Sequence, residues 1–383
     1  MRGMRVFLAI VAAAAPAIGG VVTGVQYLGQ ETFPTGFDVL GTNMGGLSGI
    51  MYDNASGQYL AISDDRSQFN PARFYNLTID LSNDVLMPGR IGFTGVTSLL
   101  NASGSTYPAL DIDPEGIALA SNGDVYISSE GQNSSSGVIN PFVNRYNTAG
   151  QLQGELSVPT KFLPQFTLAF GVRNNLAFET LTISPSQNRL FTATENALNQ
   201  DGPAAAVGQT SASRVLSYNL NGVDGTPGAE YVYVTDAVAA DPVPPGSFAT
   251  NGLVDMLAID DTRLIAIERS FSTGVGNAIK LYEVSLDGAT DVSASDTLPG
   301  SYTPVSKELI LDLGTLGITL DNIEGITWGP ELSDGRRSIV LVSDNNFSAT
   351  QFTQFLAFGV TVVPEPSTLM ILITIGLAAA FRR

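Results

Sequence analysis

Five times along the chain a short apolar run, a polar turn and a second alternating run recur in that order. The segments are LSGIMYDNASGQYLAISDDR (47–66), PEGIALASNGDVYISSEG (114–131), FETLTISPSQNRLFTATEN (178–196), VDMLAIDDTRLIAIERS (254–270) and IEGITWGPELSDGRRSIVLVSDNN (323–346). Alternation broken by Gly, Asn, Asp, Pro or Ser reads as a β-hairpin. Most hairpins are followed by one more alternating stretch: RFYNLTIDL, FVNRYNTAG, RVLSYNL, IKLYEVSLDG and TQFLAFGV. The second runs end on acids, at Asp64-Asp65, Glu130, Glu195, Glu268 and Asp344, spaced 66, 65, 73 and 76 residues apart. Four strands with their loops fill that length. Serial sheets that are apolar on both faces are best buried by radial packing, so the pattern predicts an all-β fold, a β-propeller of five four-stranded blades. A sixth blade requires a degenerate unit within residues 197–212 or 225–250. The stretch GVQYLGQETF has no hairpin of its own and is expected to complete the last sheet beside TQFLAFGV. An irregular β-sandwich leaves the recurring register unexplained.

The register raises a question of charge. A two-residue turn at Asn122-Gly123 sets Glu115 directly across from Glu130. The same geometry pairs Ser48 with Asp64, Glu179 with Glu195, Asp255 with Glu268 and Glu324 with Asp344. Opposed carboxylates destabilise a sheet unless one is protonated, an arginine intervenes or a metal binds. Arg66, Arg173 and Arg269 lie next to these acids in sequence. The expectation is therefore a channel mouth lined by acids, arginines and a cation. The bland alternative is that each acid only caps backbone amides of a neighbouring blade.

Both ends carry a different pattern. Arg2 and Arg5 precede the apolar run 6–15, and Ala15-Pro16-Ala17 resembles a cleavage site, so residues 1–17 read as a secretory signal peptide. The body spans residues 21–361. The end, VVPEPSTLMILITIGLAAAFRR, sets Pro364-Glu365-Pro366 before an apolar run and Arg382-Arg383. That order resembles the PEP-CTERM sorting tail (364–383), which implies recognition by exosortase-type machinery and a secreted or cell-surface protein of a Gram-negative envelope. The body touches a membrane through its terminal segments alone; a plain C-terminal anchor is the simpler reading of the tail.

Charge and composition narrow the chemistry. The chain has 383 residues and a formal net charge of −18, which opposes nucleic acid as a partner. It has no Cys and no His. That removes disulfides, Ser-His-Asp chemistry and the usual zinc sites, leaving oxygen ligands suited to calcium or magnesium. Asp111-Ile-Asp113-Pro-Glu115 imitates the start of an EF-hand loop, but Asn122 stands where the bidentate Glu belongs and Pro114 opposes a helix, so we reject it. GVRNNLAFE (171–179) places Arg173 and Asn174 just before an acid, a fork suited to phosphate or carboxylate. An ion pair with Glu179 or Glu195 competes for Arg173. Lys161 and Arg145 are weaker candidates.

DPEGIA, GVRNNLAFE, ATEN and NIEGITWG together make the body, from about residue 47 to 360, similar to the esterase-like phytase family. The resemblance implies a secreted propeller that hydrolyses phosphoesters, with Ca2+ as its metal. On these positions it implies Glu115, Glu130, Glu179, Glu195 and Glu324 as ligands or channel acids, and Arg66, Arg173 and Arg269 as contacts to an anion; Asn174, beside Arg173 in GVRNNLAFE, is a further substrate-binding candidate. Glu179, Arg173 and Glu115 would then act in metal-assisted hydrolysis of a small anionic phosphoester. The competing expectation is a non-catalytic propeller that binds exopolysaccharide or protein at the cell surface or matrix. A lactonase or sugar dehydrogenase on the same fold is a third.

Overall fold

The computed structural model describes residues 20–135, 137–165, 169–220 and 225–364. The signal peptide and nearly all of the sorting tail lie outside them. The described chain forms five four-stranded antiparallel sheets. Blade 1 is built of Leu47–Asp53, Gln58–Ser63, Arg73–Ile79 and Ile91–Ser98, from the axis outward. Blade 2 follows with Pro114–Leu119, Val125–Ser129, Phe142–Tyr146 and Leu152–Glu155. Blade 3 contains Thr182–Ile183, Arg189–Ala193, Ser211–Asn219 and Thr226–Thr235. Blade 4 contains Ala249–Ala258, Arg263–Ser272, Gly276–Ser285 and Ser306–Asp312. Blade 5 joins Asn322–Glu331, Arg337–Asp344 and Phe352–Pro364 to the N-terminal strand Gly20–Pro34. The first strand thus closes the ring by pairing with the last.

Five apolar clusters hold the ring, one at each blade junction. Leu60, Ile62 and Phe74 pack on Ile117 and Val125 between blades 1 and 2, while Val143 packs on Phe178 and Leu181 between blades 2 and 3. Phe191 meets Leu253 at the next junction, and Ile265 meets Ile326 at the one after. Leu47 and Tyr59 pack on Val340 and Phe355 to complete the circle. This is why β-branched and aromatic residues line both faces of each blade: each sheet is covered on two sides.

Neither proposed sixth blade forms. Residues 226–235 become the outer strand of blade 3, and residues 197–210 form a connection with one short bridge, Ala206 to Gln209. Among the described residues, no helix is long and apolar enough to cross a membrane.

The inner strands carry one shared irregularity that the hairpin register did not anticipate. The ladders pair Leu47 with Ser63, Pro114 with Ser129, Leu253 with Glu268 and Ile323 with Ser343, and each then skips before resuming. Blade 3 has the isolated bridge Phe178 to Thr194 at the same place. A β-bulge re-aims the extra residue away from the ladder. Ser48, Glu115, Val254 and Glu324 fall in these bulges. The acids are therefore not direct cross-strand partners, and the predicted face-to-face pairs are corrected.

The glycine after the bulged residue has a separate cause. A Cβ at Gly49 would lie 2.6 Å from the Glu115 carbonyl, one at Gly116 would lie 2.6 Å from Leu181 Cβ, and one at Gly325 would lie 3.1 Å from Gly49 Cα. Glycine lets the inner strands approach this closely around the axis.

Candidate active site at the channel mouth

The bulges of blades 2 and 5 turn Glu115 and Glu324 toward one end of the axis, where the second strands of the hairpins also end. Reading the ladders one residue past Ser63, Ser129, Thr194, Glu268 and Ser343 gives Asp64, Glu130, Glu195, Arg269 and Asp344. Blade 4 thus places an arginine where the other four place an acid. Its inner position is Val254, where blades 2, 3 and 5 have Glu115, Glu179 and Glu324. The expected partners Asp255 and Glu268 point elsewhere. Asp255 accepts hydrogen bonds from the amides of Met256 (2.8 Å) and Ile326 (2.8 Å), and so ties blade 4 to blade 5. Glu268 accepts from Tyr233 Oη at 2.7 Å and pairs with Lys307 between blades 3 and 4.

Arg269 and the acids of the other four blades line an open cavity of about 1010 Å³. Its floor gathers Asp64, Asp113, Glu115, Glu130, Glu179, Glu195, Glu324 and Asp344 beside Arg66 and Arg269. Two groups of carboxylate oxygens lie within 4.8 Å of one another: Asp113, Glu115 and Glu130, then Glu130, Glu179 and Glu195. Glu130 belongs to both, and its Oε1 is held by the Ala177 amide at 2.6 Å. Asp113 has no counterpart among the predicted site residues. The signal was present as Asp113-Pro-Glu115, but an EF-hand comparison asks about helices, and this acid works from the entry to a strand.

Positive partners are few. Arg66 Nε lies 3.4 Å from Asp113, and Arg269 Nη2 lies 3.2 Å from Glu195 and 3.5 Å from Glu324. Arg269 also donates to Asn322 Oδ1 at 2.8 Å, and Asn322 donates to Glu324 at 2.9 Å. Glu115 is only 7% exposed and, among the described residues, its carboxylate has neither a hydrogen-bond donor nor an ion pair. Buried Asp64 Oδ1 is likewise unpartnered. Space is kept for these acids: a Cβ at Gly46 would come within 1.8 Å of Asp64 Oδ1, and one at Gly252 within 2.0 Å of Glu195 Oε1.

Burial and mutual repulsion dominate the protonation of the floor. Burial and then Asp113, Asp64, Glu130 and Glu324 push Glu115 well above the ordinary carboxylate range. Burial, Glu130 and Glu115 do the same to Glu179. Glu130 rises by burial, moderated by a hydrogen bond shared with Glu179. Burial lifts Glu195 and Glu324 each to about 8 despite the pull of Arg269. Burial alone would lower Arg269, but Glu324 and Glu195 outweigh it and hold its guanidinium above the ordinary value. Without cations the floor therefore keeps protons at neutral pH. An all-oxygen donor set with an unpartnered buried carboxylate fits hard divalent cations such as calcium.

Of the arginines expected to meet an anion, Arg66 and Arg269 line the cavity, and Arg173 does not. The Arg173 guanidinium instead donates to the carbonyls of Ala197 (2.9 Å) and Gly202 (2.5 Å), fastening two loops. Asn174 lines the cavity, with its Oδ1 accepting from the Asn133 amide at 3.1 Å. Lys161 is buried against Glu230, and Arg145 pairs with Asp124, both away from the mouth.

Residues 42–347 match the family model described as "Phytase-like: Esterase-like activity of phytase". The chain belongs to this phytase-like family. Residues 362–383 match the PEP-CTERM protein-sorting motif, and the protein is secreted or held at the cell surface of a Gram-negative envelope. A curated relative, an uncharacterized secreted protein of Arthroderma benhamiae, is 27% identical over 192 residues, covering 43% of this chain. The match spans 36% of that relative's length. Among solved structures, a protein of unknown function from Dyadobacter fermentans aligns at a TM-score of 0.38 with 12% identity, covering 84% of this chain and 80% of the other. A gluconolactonase from Xanthomonas campestris aligns at 0.27 with 11% identity, covering 91% and 99%. Such distant likeness passes no chemistry to this phytase-like chain.

Proposed function

We propose that the protein is a cation-dependent ester hydrolase whose substrates present a phosphoryl or similar anionic oxygen to the channel mouth. The observation that carries this reading is the pair of carboxylate triads sharing Glu130, open to solvent and next to two arginines. Asp113, Glu115, Glu130, Glu179 and Glu195 would hold divalent cations such as calcium. Bound there, the cations would polarise the ester and lower the pKa of water. Arg269, fixed between Glu195, Glu324 and Asn322, is placed to bind the anionic oxygen where charge develops, the role first expected of Arg173. Arg66 serves the opposite side. Glu324 stands outside both triads, and in the cation-free protein burial raises it to about 8, a direction that suits a general acid for the leaving oxygen.

The test is turnover of p-nitrophenyl phosphate and p-nitrophenyl acetate by protein lacking both terminal segments. Activity should fall at least about 100-fold, the scale of one lost acid–base or electrostatic group, with chelator and with Glu179→Gln. Full activity under both conditions rejects the scheme. Cation binding without turnover would instead support a non-catalytic surface propeller.

A further inference from the structure

Two aromatic pairs stand on the rim of the acidic floor, and the charge chemistry uses neither. Phe69 and Phe347 stack with centroids 4.5 Å apart and planes 24° apart; Phe248 and Phe271 lie 6.1 Å apart at 37°. All four line the cavity. Phe69 is 59% exposed and Phe248 67% exposed, so each presents an open face. Single exposed aromatics need no explanation, but two pairs around one cavity are a patch.

The rings also sit on pinned backbone. Asp65 accepts from the amides of Gln68, Phe69 and Asn70 and is itself buried against Arg73 at 2.7 Å. Asn346 and Phe347 both adopt positive φ, at 47° and 50°, an uncommon conformation for an aromatic residue. Asp344 Oδ1 holds the Asn346 amide at 2.6 Å, and Asn345 Oδ1 holds that of Phe347 at 3.0 Å. Glycines seat the Phe347 ring, since a Cβ at Gly45 or Gly46 would come within 2.9 or 2.8 Å of it. Across the mouth, the Phe248 carbonyl accepts from the Thr273 amide and hydroxyl at 3.0 and 2.8 Å. Rigid, part-exposed rings are low-entropy contact surfaces.

Resting on the hydrolase reading, we infer that the substrate is an ester with a flat ring, an arene or the C–H face of a sugar, stacked on Phe69 or Phe248 while its anionic end meets the floor. A ring phosphorylated on every side would set charge against these faces and gain nothing from them. An acyclic ester would leave the faces empty.

Binding of non-hydrolysed probes tests this separately from turnover. Calorimetry on the calcium-loaded protein should give phenylphosphonate at least about threefold tighter affinity than methylphosphonate, the size of one aromatic contact. Phe69→Ala or Phe248→Ala should remove that advantage, leave methylphosphonate unchanged and keep the thermal midpoint, and Phe69→Trp should retain it. A matching gain for a C-glucosyl methylphosphonate, the non-hydrolysable counterpart of glucose 1-phosphate, would identify a sugar ring, and its absence an arene. Equal affinity for the two phosphonates, or an advantage that survives both alanine variants, overturns the inference while p-nitrophenyl turnover still upholds the hydrolase. Ring preference without turnover overturns the hydrolase alone, and failure of both phosphonates to bind overturns both.

Discussion

Arg269 Nη2 lies 3.2 Å from Glu195 Oε1, so the one mouth position that is basic is paired with the acid holding the same position in the preceding blade. The contact bridges blades 3 and 4, and the 3.5 Å approach to Glu324 extends it to blade 5. Removing one partner of a buried pair strands the other. We expect Arg269→Met to cost about 2 kcal/mol in cation-free buffer, below the buried-pair range because Glu195 can take up a proton. The loss should be larger at pH 8 than at pH 5, because both glutamates would then need even higher pH to ionise. Calcium should recover part of it. Denaturant titrations at the two pH values would decide, and a pH-independent loss would place the role of Arg269 in packing.

Cation-free stability should fall as pH rises. Glu195 and Glu324 go from the ordinary value of 4.5 to about 8 in the folded protein. Folded protein therefore keeps protons that the unfolded chain releases, and the stabilising contribution is full below about 4.5 and lost on the way to 8. Each such carboxyl contributes a slope of up to about 1.4 kcal/mol per pH unit in that window. Calcium must displace the protons of the triad carboxyls, Glu195 among them, so the rise in thermal midpoint on adding it should grow from pH 5 to pH 8, with measurable proton release. A calcium effect of constant size across that range would contradict the protonated floor.

Glu130 is shared by both carboxylate triads, whereas Glu115 and Glu195 each belong to one. Glu130→Gln keeps an acceptor for the Ala177 amide but removes the shared charge. It should weaken calcium binding at both sites by at least about tenfold, on the scale of a lost ligand-shell partner. Glu115→Gln and Glu195→Gln should each impair one site. Calorimetric stoichiometry distinguishes these outcomes, and a Glu130→Gln protein that loses one site and keeps the other would separate the triads.

Asp255 supplies the control. It is buried and bonds the backbone of Met256 and Ile326, with no place in the cavity lining. Asp255→Ala leaves those amides buried without acceptors, at about 1–3 kcal/mol each. Stability should drop by about 3 kcal/mol while calcium affinity of the folded protein stays unchanged. A variant that folds normally yet loses calcium would return Asp255 to the site.

Much of this was legible in the chain, for reasons tied to particular residues. Blade number and the placing of GVQYLGQETF beside TQFLAFGV follow from alternation, because a strand covered on both sides is written in β-branched and aromatic residues. The acids at Asp64, Glu130, Glu195 and Asp344 were legible because each closes the second alternating run of its hairpin. Their mutual geometry was not, since a bulge shifts register by one residue and leaves no fixed sequence mark beyond the glycine of Glu115-Gly116 and Glu324-Gly325. Blade 4 illustrates the cost. One residue of shift exchanges Glu268 for Arg269 at the mouth and converts Asp255 from a channel acid into a clamp between blades. Arg173 misled because proximity in sequence to Glu179 says nothing of which carbonyls its guanidinium meets.

Ring closure by the first strand makes the last prediction. Gly20–Pro34 pairs along nearly the whole of Phe352–Pro364, and its Val22, Leu28 and Phe33 are buried. Val22 joins the apolar cluster between blades 4 and 5, and Leu28 and Phe33 join the one between blades 5 and 1, so this strand braces both flanks of blade 5. The Val22 amide also donates to Glu283 of blade 4 at 2.7 Å. Removing residues 1–19 should leave the thermal midpoint unchanged. Removal through Pro34 should strip the outer edge of blade 5, expose a long unpaired strand and yield aggregated or non-cooperatively unfolding protein. A synthetic peptide of residues 20–34 added in trans should then restore a cooperative transition and calcium binding, because the missing edge is continuous and its register is fixed by thirteen paired positions. If the shortened protein unfolds at the same temperature as the longer one, the ring is held shut by its inner strands, and the first strand is an ornament on blade 5.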